Sequence, residues 1–501
     1  MRLPMRESNA KNIQLLYLLL GGGTVFLFVY LEAVFSEMGY FLAEKYLPVP
    51  CLLFFGSALT QRLSPLAKKS LLLSAVTVLW FAIVQLRHEL TGMGLRSFGI
   101  FAFAYLLGFP FAAVTEDGKT GCGMKLIGKI YAASAMVSVL CTALLVADAV
   151  PERLAGAISY DGARVMTFWH PNVGACALML GVGFSLYFLV SVKKKWTKAL
   201  LVTMIVLEFV AMVLTNSRTA ILLTCGLAGG TLFFRLWKGG WKQFLAAFAA
   251  ATAAILLLFF LYDSIFDWHT QNRINDLLAQ AETTASAVQS PAAPAVAEAI
   301  PSEAVPVTAE EVPGETVPVT AEEIPGETAP EVPNGLKIDK ETGEISLVTE
   351  SAQSELSESM KSMNGRTVIW KATIQTLQDN PEIRLWGSEY AHLEISYRNP
   401  FQVGHAHNAW LQTWILLGTP AFLMSLVYTL LAVVNAVWLM FRKNMELNKK
   451  IVALMVMCML AAGILEPYLF AGEMTTSFVN FLFFFCTGYL MQWNVDASIS
   501  L

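Results

Sequence analysis

The chain has 501 residues, of which 55% are hydrophobic and 14% charged, with a formal net charge of −4 at pH 7. A soluble domain carries roughly 25% charged residues, so an ordinary soluble enzyme is excluded. The net charge says little more, because the charges are segregated along the chain, and no nucleic-acid partner is expected.

The apolar residues form long runs, with neither a period-2 nor a period-3.6 stripe. A bilayer core of about 30 Å needs roughly 20 apolar residues as a helix, and many runs reach that length. Barrel strands alternate apolar and polar residues, and no such alternation is visible. In chain order the runs predict twelve spans, at roughly 13–31, 47–60, 70–86, 98–114, 130–149, 171–191, 199–215, 219–235, 243–262, 408–441, 451–470 and 474–493. The second is short. The tenth is long enough to tilt or to extend beyond the membrane. The expected fold is an all-α integral membrane protein with about twelve transmembrane helices. Its parts are spans 1–9 at 1–262, a large loop at 263–406, and spans 10–12 with a short tail at 407–501.

Lysine and arginine in short loops set orientation. With the N-terminus inside, the inner segments hold 20 of them and the short outer loops 6 (Lys45, Arg87, Arg96, Arg153, Arg164 and Arg218). The other 8 lie in the long loop, where the rule does not count. Both termini are therefore expected in the cytoplasm, with the long loop outside. On this map all six histidines, His88, His170, His269, His392, His405 and His407, lie outside. The seven cysteines form no Cys-x-x-Cys, so neither a disulfide framework nor a thiolate metal site is expected.

Within the loop, residues 283–335 are of low complexity. VPVTAEEVPGET at 305–316 recurs as VPVTAEEIPGET at 317–328. A repeat of Pro, Glu, Thr and Ala buries too little apolar surface to offset chain entropy, so disorder is expected there. Such a segment acts as a spacer or as an acidic tether. Order is expected to resume near Asn364. Val368, Ile369, Ile374 and Leu377, with Trp370 and Thr373 alongside, predict an amphipathic helix over 366–380, which Pro381 ends.

Three outer segments carry the candidate chemistry: FWHPNVGACALML at 168–180, LTNSRTAILL at 214–223 and GHAHNAWLQTWILLGTPAFL at 404–423. Arg218 stands at a span edge in a turn too short to hold it far from the bilayer. It is either a snorkelling anchor or a binder of a lipid phosphate, for which a planar, permanently charged fork is suited. His407 and Asn408 stand where a helix begins, a place that favours anions. A neutral imidazole there can take a proton, although a capping or packing histidine fits as well. His405 and His407 form His-x-His, but no further ligand spacing and no Asp-x-Asp accompany them, so no metal is expected. Glu208 is the clearest charge inside a span. Glu466 and Glu473 are read as solvated loop residues, with contact to an acceptor sugar as the alternative.

Taken together, these segments resemble the O-antigen ligase and O-antigen polymerase superfamily of bacterial envelope enzymes. The carriers are Arg218-x-x-x-Leu222, His407-Asn408 followed by nine residues and Gly418, and Gly365-Arg366 with Trp370 and Asp379-Asn380-Pro381. His170-Pro171-Asn172 with Gly174 also resembles a recurrent segment of the family. Ala421 departs from the pattern, as does the single glycine of Leu385-Trp386-Gly387-Ser388, and the acidic repeat is foreign to it. The resemblance implies a GT-C-like architecture in the cell membrane and an extracytoplasmic active site. It implies a metal-independent glycosyltransferase without cofactor, which moves a polyprenyl-diphosphate-linked glycan to a hydroxyl of a glycan or lipid acceptor. Arg218 and Arg366 would stabilise the leaving diphosphate, and His407 would serve as general base. Asn408, His170, Asn172 and His405 would bind donor or acceptor. The competing readings are a lipid-linked sugar flippase and a protein O-oligosaccharyltransferase. Polar clusters on one face favour an enzyme over alternating access.

Overall fold

The computed structural model describes residues 65–87, 122–151, 158–161, 164–167, 171–289, 336–338, 345–347, 365–388, 391–399, 404–470 and 477–498. The spans expected at 13–31, 47–60 and 98–114, the acidic repeat, His88, His170 and Glu473 lie outside the described residues. The chain divides into two compact units, residues 1–274 with 365–501, and residues 275–364.

The first unit is helical. Its long helices are α1 (Pro65–Arg87), α2 (Cys122–Val146), α3 (Pro171–Ser191), α4 (Lys195–Leu214), α5 (Arg218–Leu236), α6 (Trp241–Gln289), α10 (Ala409–Phe441), α11 (Leu447–Leu465) and α12 (Ser477–Ser498). Short helices α7 (Arg366–Asp379), α8 (Pro381–Trp386) and α9 (Ala391–Arg398) precede α10. Among the described residues, seven helices are long and apolar enough to cross a membrane. Two shorter apolar stretches, Leu72–Val84 and Val479–Met491, lie within α1 and α12. The molecule is thus a multi-pass membrane protein by the length and composition of its helices. α3 is the central element and packs against α2, α4, α5 and α11. α6 turns Leu256 and Phe260 outward, 63% and 68% exposed, as a lipid-facing helix does. It also continues as helix to Gln289, past the 262 at which its span was expected to end.

Two features depart from a purely helical expectation. Strands β1 (Ile158–Asp161) and β2 (Arg164–Thr167) pair antiparallel, with Ile158 opposite Thr167 and Asp161 opposite Arg164. Ile158, Val165 and Thr167 are buried. This alternation, with Gly162-Ala163 between the strands, is a hairpin signal. β2 lies close on the start of α3: a Cβ on Gly174 would come within 2.2 Å of the Thr167 hydroxyl. In the second unit, β3 (Leu336–Ile338) and β4 (Ile345–Leu347) also pair antiparallel.

The long tenth run is two helices, because Gly418 breaks α10 with φ +77°. The break frees carbonyls that Pro420, lacking an N–H, helps leave unbonded, and such groups need partners within a membrane. Ser388 N donates to Ile415 O, and Trp80 Nε1 donates to Leu417 O at 2.9 Å. Gly387, also left-handed at φ +78°, faces this break. A Cβ on Gly387 would lie 2.2 Å from Leu416 O, and one on Gly418 2.1 Å from Leu385 O. Backbone therefore meets backbone, and both positions require glycine. Trp80 stacks on Trp386 at 5.4 Å, and Arg87 lies over the same ring while pairing with Glu382 at 3.1 Å. The α7–α9 layer is held to α10 by this clamp and by a small core of Ile369, Leu377, Ala391, Ile395 and Ile415.

Candidate active site

Glu466 caps the C-terminus of α11, where its N–H bonds Ala462 O at 2.9 Å, and Pro467 prevents further helix. A carboxylate at a helix C-terminus opposes the helix dipole, and this residue is 3% exposed. Such a charge needs cations and donors, and three reach it. Arg366 Nη2 bonds Oε1 at 2.5 Å, Asn172 Nδ2 donates to Oε1 at 3.0 Å, and His407 Nδ1 faces Oε2 at 3.2 Å. Burial alone would raise the carboxyl's pKa. The His407 hydrogen bond and charge, with the Arg366 guanidinium, outweigh burial and hold it below the usual carboxylate range.

His407 stands just ahead of α10 with φ +45°, a left-handed backbone unusual for a non-glycine residue. Neighbours hold it there: Trp370 Nε1 donates to its carbonyl at 3.2 Å. Asn408 is the cap of α10, accepting from Trp410 N and Leu411 N, as asparagine does well. Its amide also donates to Ile464 O at 3.0 Å, which fastens the start of α10 to the end of α11. Because a carboxylate only accepts, the His407 Nδ1–H points to Glu466, leaving Nε2 as the second ring nitrogen. The ring of His405 lies 3.9 Å from that of His407.

Arg366 opens α7, and the helix buries Ile369, Ala372, Thr373, Thr376 and Leu377. Ile374, expected on the apolar face, is 42% exposed. The buried face instead admits two threonines, whose hydroxyls bond Ile369 O and Ala372 O within the helix. Arg366 pairs with Glu466, while its Nε–H is buried without a hydrogen-bond partner among the described residues.

Arg218 is the first residue of α5, after a turn in which Asn216 has φ +51°. Tyr262 on α6 donates to Asn216 Oδ1 at 2.6 Å, and the Arg218 guanidinium also reaches that hydroxyl. Arg218 is exposed and forms no ion pair among the described residues. Arg164 links this turn to the Glu466 cluster, since Nε donates to Thr215 O at 3.0 Å and Nη2 to Asn172 Oδ1 at 3.1 Å.

The structure thus gathers His407, Arg366 and Asn172 around one carboxylate, with Asn408 fixing the helix beneath and His405 beside the ring. His170 lies outside the described residues. The reading of Glu466 as a solvated loop residue is overturned, since the side chain is enclosed by the groups it neutralises. Arg164 was counted only as a loop cation. The available signal for Glu466 was a carboxylate placed against the helix dipole near outer cations. No group of three His, Cys, Asp or Glu side chains among the described residues is arranged to hold a metal.

No curated protein matches the chain. The model of one family, described as O-Antigen ligase, matches residues 203–426, a span that contains Arg218, Arg366, His407 and Asn408 but not Asn172 or Glu466. With those side chains at one end of a multi-pass helical bundle, the segment 203–426 is similar to the O-antigen ligase family.

Proposed function

We propose that the protein is a glycosyltransferase of the cell membrane that moves a glycan from a polyprenyl diphosphate to a hydroxyl of a glycan or lipid acceptor, at the extracytoplasmic face. The observation that carries this reading is the buried Glu466 joined to His407 and Arg366. In the proposed reaction, neutral His407 takes the acceptor hydroxyl's proton on Nε2 while Glu466 holds the ring and compensates the imidazolium. The acceptor oxygen bonds to the anomeric carbon, and the bond from that carbon to the phosphate oxygen breaks. Both electrons leave with the polyprenyl diphosphate. Arg218, exposed and without an ion pair among the described residues, meets the growing charge, as a fixed cation aimed at the transition state should. Arg366, paired with Glu466, adds a second fixed positive charge beside the site. Asn408, with its polar atoms committed to helix ends, positions His407. The reaction needs neither metal nor cofactor.

The orientation rests on the charges at the far ends of the same helices. Lys193, Lys194 and Lys195 join α3 to α4, and Lys449 and Lys450 open α11, with Lys450 Nζ 4.9 Å from the ring of Phe234 near the end of α5. Cationic linkers at that end support a cytoplasmic assignment.

The test is a cell-free assay on purified protein in nanodiscs, with polyprenyl-diphosphate-linked glycan and without nucleotide sugar or added metal. Release of polyprenyl diphosphate with a lengthened or newly attached glycan, lost in His407→Ala, is the expected result. Movement of the lipid-linked glycan across a bilayer without any transfer would replace this reading by the flippase.

A further inference from the structure

Arg164 belongs neither to the family-matched residues nor to any segment that the motifs single out. It begins β2, and β2 is immobilised from two sides. Pairing with β1 fixes one edge, and the close approach of Thr167 to Gly174 fixes its end on α3. From this place one guanidinium bridges two elements. Nε donates to Thr215 O, the carbonyl of the residue that caps α4 and starts the turn that carries Arg218. Nη2 donates to Asn172 Oδ1.

The second bond decides which way the Asn172 amide faces. An amide presents an acceptor on one side and donors on the other. With Arg164 on Oδ1, the Nδ2 donor must face Glu466, which it meets at 3.0 Å. Turned the other way, the amide would set its oxygen against a buried carboxylate. We propose that Arg164 is a positioning residue that locks Asn172 as a donor to Glu466 and ties the Arg218 turn to the Glu466–His407 pair, so that the donor-side cation and the acceptor-side base keep one register. This rests on the transferase reading for its consequence in turnover, but the link from Arg164 to His407 is a property of the network alone. Lysine cannot replace it, because one ammonium on a flexible stem does not hold two acceptors in the fixed geometry of a guanidinium fork.

Losing Arg164 frees Asn172 to turn, and Glu466 loses a donor. The carboxylate that orients the His407 ring is then held by one donor fewer. Among the described residues, Glu466 and His405 face the His407 ring, and Arg366 acts through the shared carboxylate.

The experiment uses full-length protein with Arg164→Gln or Arg164→Lys, each also in an Asn172→Leu background. Histidine labelled with carbon-13 reports the His407 ring environment by NMR, assigned by its absence in His407→Gln. Turnover is measured on polyprenyl-diphosphate-linked glycan. In both Arg164 variants the His407 ring signals are expected to shift, and kcat to fall about 10- to 100-fold, with donor KM changed by less than about twofold. In the Asn172→Leu background the same substitutions should add little, because residues acting through one another are not additive. A merely structural role would instead lower the melting temperature and add its loss in both backgrounds. If Arg164→Gln fails to insert, Arg164→Lys carries the test. Unmoved His407 signals, or full additivity with Asn172→Leu, overturn the inference. Absence of turnover in the wild type would remove the transferase reading, and the His407 signals alone would then decide the link.

Discussion

Glu466 is the carboxylate on which the site's cations converge. It is buried, it opposes a helix dipole, and it is satisfied by Arg366, His407 and Asn172 together. Removing one partner of a buried ion pair leaves an uncompensated charge, which costs about 3–5 kcal/mol. Glu466→Gln should therefore lower the melting temperature in detergent and abolish turnover, because His407 loses its orienting carboxylate. Its pKa is depressed on folding, so its stabilisation is present above the unfolded carboxyl value of ~4.3 and is lost as pH falls through the lower folded value. The wild type should thus lose thermal stability below about pH 4 more steeply than Glu466→Gln does. Arg218 differs in being exposed, so Arg218→Lys should leave melting unchanged. It should still reduce turnover by about 10²- to 10³-fold, the loss expected when a planar donor is taken from developing charge.

Helix α10 reaches the site because it is broken. Its first segment, 409–417, holds His407 and Asn408 against the end of α11, and the remainder runs on after Gly418. The break persists because Ser388 and Trp80 bond the freed carbonyls and because Gly387 and Gly418 let two backbones meet. A side chain at Gly418 would have to adopt a left-handed conformation and displace Leu385, a strain of roughly 1–3 kcal/mol or more. Gly418→Ala and Gly387→Ala should each lower the melting temperature and turnover, and the double variant should lose less than the sum, because both disrupt one contact. Additive losses would show that the two glycines act separately. This clamp also explains the spacing from His407-Asn408 to Gly418: nine residues carry the helix from its cap to the break.

Across the molecule, apolar helices surround α3 and α11, and the polar groups gather where α3, α5, α10 and α11 begin or end. The acidic repeat occupies residues 305–328 of the sequence. Each doubling of a flexible loop changes its closure entropy by only ~0.6 kcal/mol. Deletion of 305–328 should therefore leave membrane insertion intact and turnover within about twofold of wild type in the same transfer assay. A large loss of turnover with normal insertion would make the repeat a tether that the reaction needs.

Hydropathy alone dictated a multi-pass helical protein, because a bilayer rewards long apolar runs regardless of what packs beside them. Local chemistry was legible in part: Arg366 opens an amphipathic helix, Arg218 stands at a span edge and His407 at a helix start, as their neighbours in sequence imply, whereas Asn408, expected to bind donor or acceptor, caps α10. The hairpin at 158–167 carried an alternation signal within long helical runs and was not read. What the chain order concealed was the pairing. Asn172 and Glu466 are separated by 294 positions, Arg366 and Glu466 by 100, and Arg164 and Thr215 by 51. A lone glutamate after a helix looks like a solvated residue until distant helices close over it. Only the packed bundle removes the water, and removing it turns a loop carboxylate into the anchor of the site.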